Sequence, residues 1–349
     1  MYLFQSDYNM MCHPAVLQHL NYSADNTMIG YGKDDACTRA AALIRKACGR
    51  DDIAVHFLSG GTQTNLTVIA AALRPYQAVL APVSAHINEH ETGSIEATGH
   101  KVITLPATLG KITAQQIDRA AALHYQSTGP DPEHMPQPKM VYISMSTELG
   151  SVYSLAELED ISTVCKQWNL YLYVDGARLG YGLAASECDV TLSDLTRLCD
   201  VFYIGGTKQG AMFGEAVVIA NTVLAEDFRY MIKRQGGMLA KGWLMGLQFE
   251  ALFTDNLYFK ASSDANAKAD RIRCALQGAG FETPNLSGTN QVFAIMTDAE
   301  LDALGKEFLF TEWERVDENR RMIRFCTSWS TTDEQVNALC NYLARRIAN

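Results

Sequence analysis

A lysine that follows a short apolar run is the first residue in this sequence that could do chemistry. Residues 201–204 read Val-Phe-Tyr-Ile, a β-branched and aromatic run typical of a buried strand. Gly205 and Gly206 end it with a turn that glycine makes at little cost, and Lys208 follows. Ligands bind at the carboxyl ends of strands in open α/β sheets, so the Lys208 amine is placed for chemistry on a small molecule. A solvated lysine in a glycine-rich loop is the alternative, since most charged loop residues are simply solvated.

A second signal is a glycine turn between a predicted strand at 53–59 and a predicted helix at 63–73. Its residues are Gly60, Gly61 and Thr62. Backbone N–H groups and the positive end of the helix dipole at such a turn suit an anion such as phosphate. The pattern is neither GxGxxG nor a Walker loop, so it does not imply a nucleotide. An ordinary tight turn is the alternative interpretation.

The third signal is Asp175, which follows the predicted strand 170–174. An isolated Asp-Gly pair is otherwise a turn former. Together, an amine, an anion site and a carboxylate at one sheet edge are the set that pyridoxal 5'-phosphate requires. Lys208 would form the Schiff base, the 60–62 turn would hold the phosphate, and Asp175 would keep the pyridine nitrogen protonated.

Strands alternate with helices through the middle of the chain, which predicts an α/β fold with a mostly parallel sheet covered by helices. Thr113 with Gln116 and Ser154 with Glu157 form capping-box patterns that open two of these helices. After Gly242 the pattern changes to longer helices and a few strands. We therefore expect a segment 1–20 that packs on the small domain, a large domain at 21–245 and a small α+β domain at 246–349.

Composition restricts the class of protein. The chain has 349 residues and a formal net charge of -10, which argues against a nucleic-acid partner. No apolar run is long enough for a membrane span, and the first residues lack a basic segment followed by an apolar one, so the expectation is the cytoplasm. The nine cysteines are scattered without a CxxC pair, which predicts small core residues and no structural zinc.

The sequence resembles the threonine aldolase branch of the fold-type-I pyridoxal-phosphate enzymes, which are also grouped with β-eliminating lyases. The resemblance runs from Ser6 to about Arg324. Its most distinctive motif is Asp-Gly-Ala-Arg-Leu at 175–179, and Gly-Thr-Lys at 206–208 is similar to the family's Schiff-base segment. Gly60 stands where the family has a serine in its phosphate turn. The resemblance implies a large domain with a sheet of the seven-stranded type.

The resemblance also implies roles for residues outside these motifs. His86 would stack on the cofactor ring and is a candidate base. Ser6, Arg178 and Arg324 would bind the substrate carboxylate, and Arg178 would also contact the cofactor, although a buried ion pair is the alternative for Arg324. A homodimer or homotetramer is implied, with Lys233 or Lys241 of one subunit near the phosphate of another.

The segment 146–150 reads Ser-Thr-Glu-Leu-Gly, whereas better-known members carry Glu-Asn-Thr-His-Asn, so a second catalytic histidine is absent. The implied reaction is cleavage of L-threonine or a related β-hydroxy-α-amino acid to glycine and an aldehyde. The alternatives are β-elimination or transamination with the same cofactor. The HxxEH pattern at 86–90 leaves a zinc peptidase as an alternative from another class, and a catalytically inactive binding protein is a third.

Overall fold

The computed structural model describes residues 1–129, 131–285 and 288–345. The strands of the described residues are β1 (Tyr2–Leu3), β2 (Ala54–Leu58), β3 (Gln77–Pro82), β4 (Lys101–Leu105), β5 (Gln137–Ser144), β6 (Tyr171–Asp175), β7 (Val201–Gly205), β8 (Glu215–Ile219), β9 (Gln291–Thr297), β10 (Phe308–Leu309), β11 (Thr311–Arg315) and β12 (Arg320–Cys326).

The α-helices of the same residues are α1 (Pro14–Tyr22), α2 (Asp35–Cys48), α3 (Gly61–Ala72), α4 (His86–Glu89), α5 (Ser94–Ala97), α6 (Ala114–Tyr125), α7 (Leu155–Gln167), α8 (Leu179–Leu183), α9 (Leu192–Leu198), α10 (Thr222–Ala225), α11 (Phe228–Arg234), α12 (Trp243–Phe253), α13 (Leu257–Gly278), α14 (Asp298–Leu304) and α15 (Asp333–Arg345). Short 3-10 turns lie at Pro132–His134 and Thr254–Asn256.

The main sheet has seven strands in the order β2-β8-β7-β6-β5-β3-β4. Its pairings are parallel except for the two made by β8, which is antiparallel to both β2 and β7. The expected mostly parallel α/β sheet is therefore confirmed. Two separate apolar clusters of buried residues pack on the sheet and its helices, as a doubly covered sheet requires.

Local sequence signals place the helices that support this sheet. Both predicted capping boxes form, at Thr113 with Gln116 and at Ser154 with Glu157. Gly49 ends α2 in the left-handed conformation at φ 69°, which favours glycine. The helix expected at 63–73 begins two residues earlier, at Gly61, so the glycine turn itself forms the first turn of α3.

The residues after α12 build a smaller second unit. Strands β11, β12 and β9 form an antiparallel sheet, and the long helix α13 packs on it with α15 around a third apolar cluster. β1 pairs in parallel with β10, and Phe4 is buried in the same cluster. The amino-terminal segment thus contacts strands that lie about 300 residues later in the chain.

The cysteines and the apolar helices were also the subject of expectations from the sequence. All nine cysteines are free: six are buried, the half-buried Cys188 and Cys340 pack against the apolar clusters, and the expectation that they are core residues is wrong for Cys274, which is exposed. Among the described residues no helix has the length and apolar character that crossing a membrane requires.

Candidate active site

A cavity of about 790 Å³ opens at the carboxyl edge of the main sheet. Eight of the nine site residues expected from the sequence line it: Gly60, Gly61, Thr62, His86, Asp175, Arg178, Lys208 and Arg324. The ninth, Ser6, is not in the lining, and its hydroxyl donates a 2.6 Å hydrogen bond to Asn9 Oδ1. The structure therefore brings together residues that are up to 264 positions apart in the sequence, because each follows or lies near the end of a strand.

The turn after β7 holds Lys208 in a fixed position. Gly206 N–H donates to Gly214 O at 3.0 Å and to Glu215 Oε2 at 2.9 Å. Thr207 Oγ1 donates to Glu215 Oε1 at 2.8 Å and accepts from Gly214 N–H at 3.1 Å. Glu215 begins the antiparallel strand β8, so the reversed strand carries the carboxylate that braces the lysine turn.

Charge and burial change the ionisation of Lys208 and Glu215. Loss of solvation and the neighbouring Arg178 lower the pKa of Lys208, while Asp7, Asp175 and Glu215 oppose that shift. Burial raises the pKa of Glu215 to about 7, although Thr207, Gly206 and Lys208 act in the other direction. An amine with a lowered pKa is more often neutral, and a neutral amine is the form that attacks a carbonyl carbon.

Asp175 lies at the end of β6 with both carboxylate oxygens engaged. Oδ1 accepts from Ala177 N–H at 3.0 Å and from Tyr203 OH at 2.6 Å. Oδ2 accepts from Asn65 Nδ2 at 3.1 Å and from Tyr142 OH at 2.5 Å. Burial, followed by the Asp175 charge, raises the pKa of both tyrosines well above its usual range, so both remain hydroxyl donors. A bound ring nitrogen would have to take over one of these four acceptor positions.

The amino terminus of α3 faces the cavity without a side-chain cap. Gly60 is the N-cap residue and makes no side-chain hydrogen bond to the first turn. Gly60, Gly61 and Thr62 all line the cavity. The first turn of a helix has backbone N–H groups without intrahelical partners, so this end of α3 can receive an anion.

Gly176 permits the close contact between the ends of β6 and β7. A Cβ atom at this position would lie 1.7 Å from Tyr203 O, a distance that no side chain can occupy. Gly205 N–H donates to Gly176 O at 2.9 Å. The distinctive Asp-Gly motif therefore has a steric reason, because glycine lets the Asp175 and Lys208 strand ends approach each other.

His86 begins the short helix α4 and is linked to Asp175 through two buried side chains. Its Nδ1 lies 2.8 Å from Glu91 Oε1, and the Glu91 side chain is fully buried. Asn65 Nδ2 donates to the same Glu91 oxygen at 2.7 Å and also reaches Asp175. The ring of His86 is held by this network and keeps about a third of its surface exposed to the cavity.

Arg178 is engaged by Asp7. The guanidinium donates from Nε to Asp7 Oδ2 at 2.7 Å and from Nη2 to Oδ1 at 3.1 Å. Asn290 donates a third hydrogen bond to Asp7 at 2.9 Å. Burial opposes ionisation of Asp7, but Arg178, Lys208 and Asn290 together lower its pKa to about 2. Among the hydrogen bonds of the described residues, Nη1 of Arg178 is not used, so it remains for a ligand.

Arg324 reaches the cavity from the small sheet. Its Nη1 donates to Gln291 Oε1 at 3.1 Å, its guanidinium carbon lies 4.8 Å from the centre of the Trp313 ring, and its Nε is buried without a partner. No ion pair of the described residues includes Arg324, so the alternative of a buried ion pair is wrong. A cation that is held by neutral groups can bind an incoming carboxylate.

The HxxEH pattern does not assemble a metal centre in the part of the chain that the structure covers. No group of three or more histidine, cysteine, aspartate or glutamate side chains there is arranged to hold a metal ion. His86 turns to Glu91, while His90 Nε2 lies 3.9 Å from Glu89 Oε2. The two histidines point to different carboxylates instead of sharing one ligand.

Several polar residues of the site were not identified from the sequence. They are Asp7, Asn65, Glu91, Glu148 and Glu215, all at most 8% exposed. The one local signal was at Glu215, a carboxylate at the head of the apolar run Ala-Val-Val-Ile. The others also act through contacts between distant segments, such as Asp7 with Arg178 and Asn65 with Asp175, which sequence spacing does not display.

Comparison with known proteins agrees with this geometry. Residues 12–299 match the family described as beta-eliminating lyase. The chain is 32% identical to the low specificity L-threonine aldolase of Pseudomonas sp. (strain NCIMB 10558), over 96% of this chain and 95% of that protein. It is 42% identical to the structure of Leishmania major threonine aldolase, with a TM-score of 0.95 and 99% of both chains covered.

A more distant likeness concerns the fold alone. A structure of Thermus thermophilus aspartate aminotransferase has a TM-score of 0.69 at 11% identity, over 99% of this chain and 91% of that one. The seven-stranded sheet with its small antiparallel unit is therefore an aminotransferase-like fold. From the family match and the two close relatives, this chain belongs to the beta-eliminating lyase family and is a homologue of the threonine aldolases.

Proposed function

We propose that this chain is a pyridoxal-phosphate-dependent aldolase, which cleaves L-threonine or a related β-hydroxy-α-amino acid to glycine and an aldehyde. The observation that carries the proposal is the convergence of Lys208, Asp175 and the uncapped end of α3 on one cavity. The relatives named L-threonine aldolase favour this reaction over other reactions of the same cofactor.

The residues present fit the cofactor. Lys208 supplies an amine with a lowered pKa, α3 supplies free backbone donors for a phosphate, and Asp175 supplies a buried carboxylate for a ring nitrogen. When bound, pyridoxal phosphate provides an aldehyde that condenses with amines and a ring that accepts an electron pair. The missing serine at Gly60 removes a hydroxyl but leaves the backbone N–H groups.

The chain's own side chains would bind and orient the rest. The exposed face of His86 would cover the ring, because Glu91 fixes its imidazole at the cavity wall. Arg324 would hold the substrate carboxylate, assisted by the free Nη1 of Arg178. Ser6 would join them only after leaving its hydrogen bond with Asn9. His86, or a water that it orients, is the base implied by the resemblance.

We also propose a homodimer or homotetramer in which Lys233 or Lys241 of a neighbouring subunit approaches the phosphate. Neither lysine lines the cavity of its own chain, and Lys233 lies 5.1 Å from the centre of the Tyr31 ring. Sedimentation at working concentration tests the assembly, and an active monomer would exclude it.

Product analysis tests the reaction. L-threonine should give glycine and acetaldehyde in equal amounts, in a reaction that needs pyridoxal phosphate. Formation of 2-oxobutanoate and ammonia would replace the proposal with β-elimination, and a new amino acid formed from an added keto acid would indicate transamination. Peptide cleavage that a chelator abolishes would revive the zinc alternative.

A further inference from the structure

We propose that Glu148 is the residue that exchanges a proton with the substrate's β-hydroxyl group, which rests on the aldolase function proposed above. Glu148 belongs to the segment 146–150, where the sequence lacks the family's second histidine. Its side chain lines the same cavity as Lys208, His86 and Asp175.

The two oxygens of the Glu148 carboxyl group have different environments. Oε1 accepts a hydrogen bond from Ser144 Oγ at 2.7 Å and another from His86 N–H at 3.1 Å. Oε2 is buried and has no hydrogen-bond partner among the described residues. The donors therefore fix the position of the carboxyl group and leave one oxygen for a ligand.

A buried carboxylate oxygen without a donor is costly and calls for an explanation. Ser146 Oγ, two residues earlier, is also buried without a partner in the described part of the chain, and it lines the same cavity. Two unpartnered polar atoms from one segment at one cavity indicate that a ligand supplies the missing hydrogen bonds. A hydroxyl group can donate to Glu148 and accept from Ser146, which matches a β-hydroxy amino acid.

The surroundings of Glu148 suit a base. Burial raises the pKa of Glu148, and the nearby Asp175 charge acts in the same direction, while the bonds to Ser144 and His86 oppose it. Burial, with a further contribution from the Glu148 charge, raises the pKa of Tyr142 and Tyr153, so both tyrosines remain protonated. A carboxylate with a raised pKa accepts a proton more readily than an ordinary glutamate.

The proton and electron balance of the step is simple. The β-hydroxyl proton passes to Oε2 of Glu148, and the electrons of the O–H bond form the second bond of the aldehyde carbonyl. The Cα–Cβ bond breaks, its electron pair stays with the amino-acid part that the cofactor holds, and a proton from solvent adds at Cα to complete glycine, while Glu148 returns the hydroxyl proton to solvent. His86 keeps the ring-covering role, and Glu148 takes the proton.

The test compares E148Q with the wild type on two reactions of the holoenzyme. Cleavage of L-threonine should fall by about 10²-fold or more, the size expected for loss of general acid–base catalysis. Exchange of the glycine α-protons in D2O, followed by NMR, needs no β-hydroxyl and should stay within about threefold of the wild type. E96Q, an equal change at an exposed position outside the cavity, should alter neither reaction.

A second measurement does not depend on turnover. The infrared difference spectrum between wild type and E148Q should show a carboxyl group that becomes protonated at a higher pH than ordinary glutamates. If E148Q does not fold, this spectrum is taken with E148D, in which the carboxyl is kept but withdrawn. An ordinary glutamate titration in the spectrum would contradict the proposal.

The remaining outcomes separate this proposal from the function on which it rests. Wild-type protein that releases no glycine from L-threonine overturns both. Normal threonine cleavage by E148Q overturns only the role of Glu148. Equal loss of cleavage and of glycine exchange in E148Q also overturns that role. Glu148 would then be needed for the structure of the site and not for proton transfer from the β-hydroxyl group.

Discussion

Asp7 and Arg178, 171 positions apart, form a buried ion pair through two parallel hydrogen bonds of 2.7 and 3.1 Å. Asp7 is fully buried, and Asn290 from the start of the small sheet donates to the same carboxylate. Arg178 directly precedes α8, three residues after Asp175. The pair thus connects the amino-terminal segment, the small sheet and the edge of the main sheet at the proposed site.

The first prediction concerns acid stability. The pKa of Asp7 is about 2 in the folded chain and 3.8 as its ordinary value, so Asp7 contributes stability above pH 4 that is lost as pH falls through 2. The contribution is about 2 kcal/mol by proton linkage. Asp7→Asn should therefore be less stable than wild type at pH 7, and the gap should shrink toward pH 2. Urea unfolding at several pH values measures this difference in the free energy of unfolding, with the exposed Asp25→Asn as control.

The second prediction concerns the Schiff-base role proposed for Lys208. Lys208→Ala should lose the yellow absorbance and the borohydride-stable adduct of the bound cofactor, because Lys208 is the lysine that lines the cavity with Asp175 in the described part of the chain. Lys233→Ala and Lys241→Ala should keep the adduct on Lys208, since neither lines the cavity of its own chain. A peptide map that places the adduct on either control lysine would contradict this assignment.

The third prediction concerns Asp175. Asp175→Ala should lose at least ~10²-fold in activity while the fold persists, because the ring nitrogen loses the carboxylate that keeps it protonated. Tyr142→Phe is the matched control: it removes one donor to Asp175 and keeps the carboxylate, so its loss should be much smaller. Near-normal turnover in a cofactor-loaded Asp175→Ala protein would mean that Asp175 is only a turn residue.

The fourth prediction concerns substrate anchoring by Arg324. Among the described residues its guanidinium has two neutral partners, Gln291 and the Trp313 ring, so its charge is available to a carboxylate. Arg324→Ala should raise KM for L-threonine by about 10- to 100-fold and leave the cofactor absorbance unchanged. Arg320→Ala, an exposed change on the same strand, should leave KM unaltered. Equal KM values in all three proteins would remove Arg324 from the substrate site.

The fifth prediction concerns Glu215 and has the opposite pH dependence to that of Asp7. Burial raises the pKa of Glu215 in the folded chain from 4.5 to about 7. The stability that the protonated carboxyl group contributes is therefore fully present below pH 4.5 and is lost as pH rises through 7. Glu215→Gln removes the ionisation, so its Tm relative to wild type should increase between pH 5 and pH 8. Thr207→Val removes a donor that lowers the pKa of Glu215, so its Tm relative to wild type should change in the opposite direction and fall between pH 5 and pH 8. A constant difference for Glu215→Gln would show that Glu215 ionises normally.

Local signals account for the parts of the site that the sequence could predict. The positions of Lys208, Asp175 and Gly60 depend on where apolar runs stop and glycine turns begin, and both are visible along the chain. Capping boxes such as Thr113 with Gln116 are equally local. The alternation of these elements was enough to predict a mostly parallel sheet and hence one common edge.

Long-range contacts account for the parts that could not be predicted. Glu91 is significant because Asn65 and His86 meet at its carboxylate, and Glu148 because one of its oxygens stays without a donor. The Asn65 contact joins residues 26 positions apart, and an oxygen without a donor leaves no pattern in the sequence. The start of α3 at Gly61 also differed from the expectation, since a glycine turn can belong to the helix it precedes.

The pairing of β1 with β10 has a consequence for synthesis on the ribosome. Asp7 leaves the ribosome early, while Asn290, which binds it, is made 283 residues later. At about 5 to 20 residues per second, this delay is roughly 15 to 60 seconds. During that time the strands before Asp175 and Lys208 have already been synthesised. Strand β10, with which β1 pairs, has not yet been made. Docking of this segment is therefore a late event, and the order of synthesis makes the amino-terminal residues among the last to reach their final position.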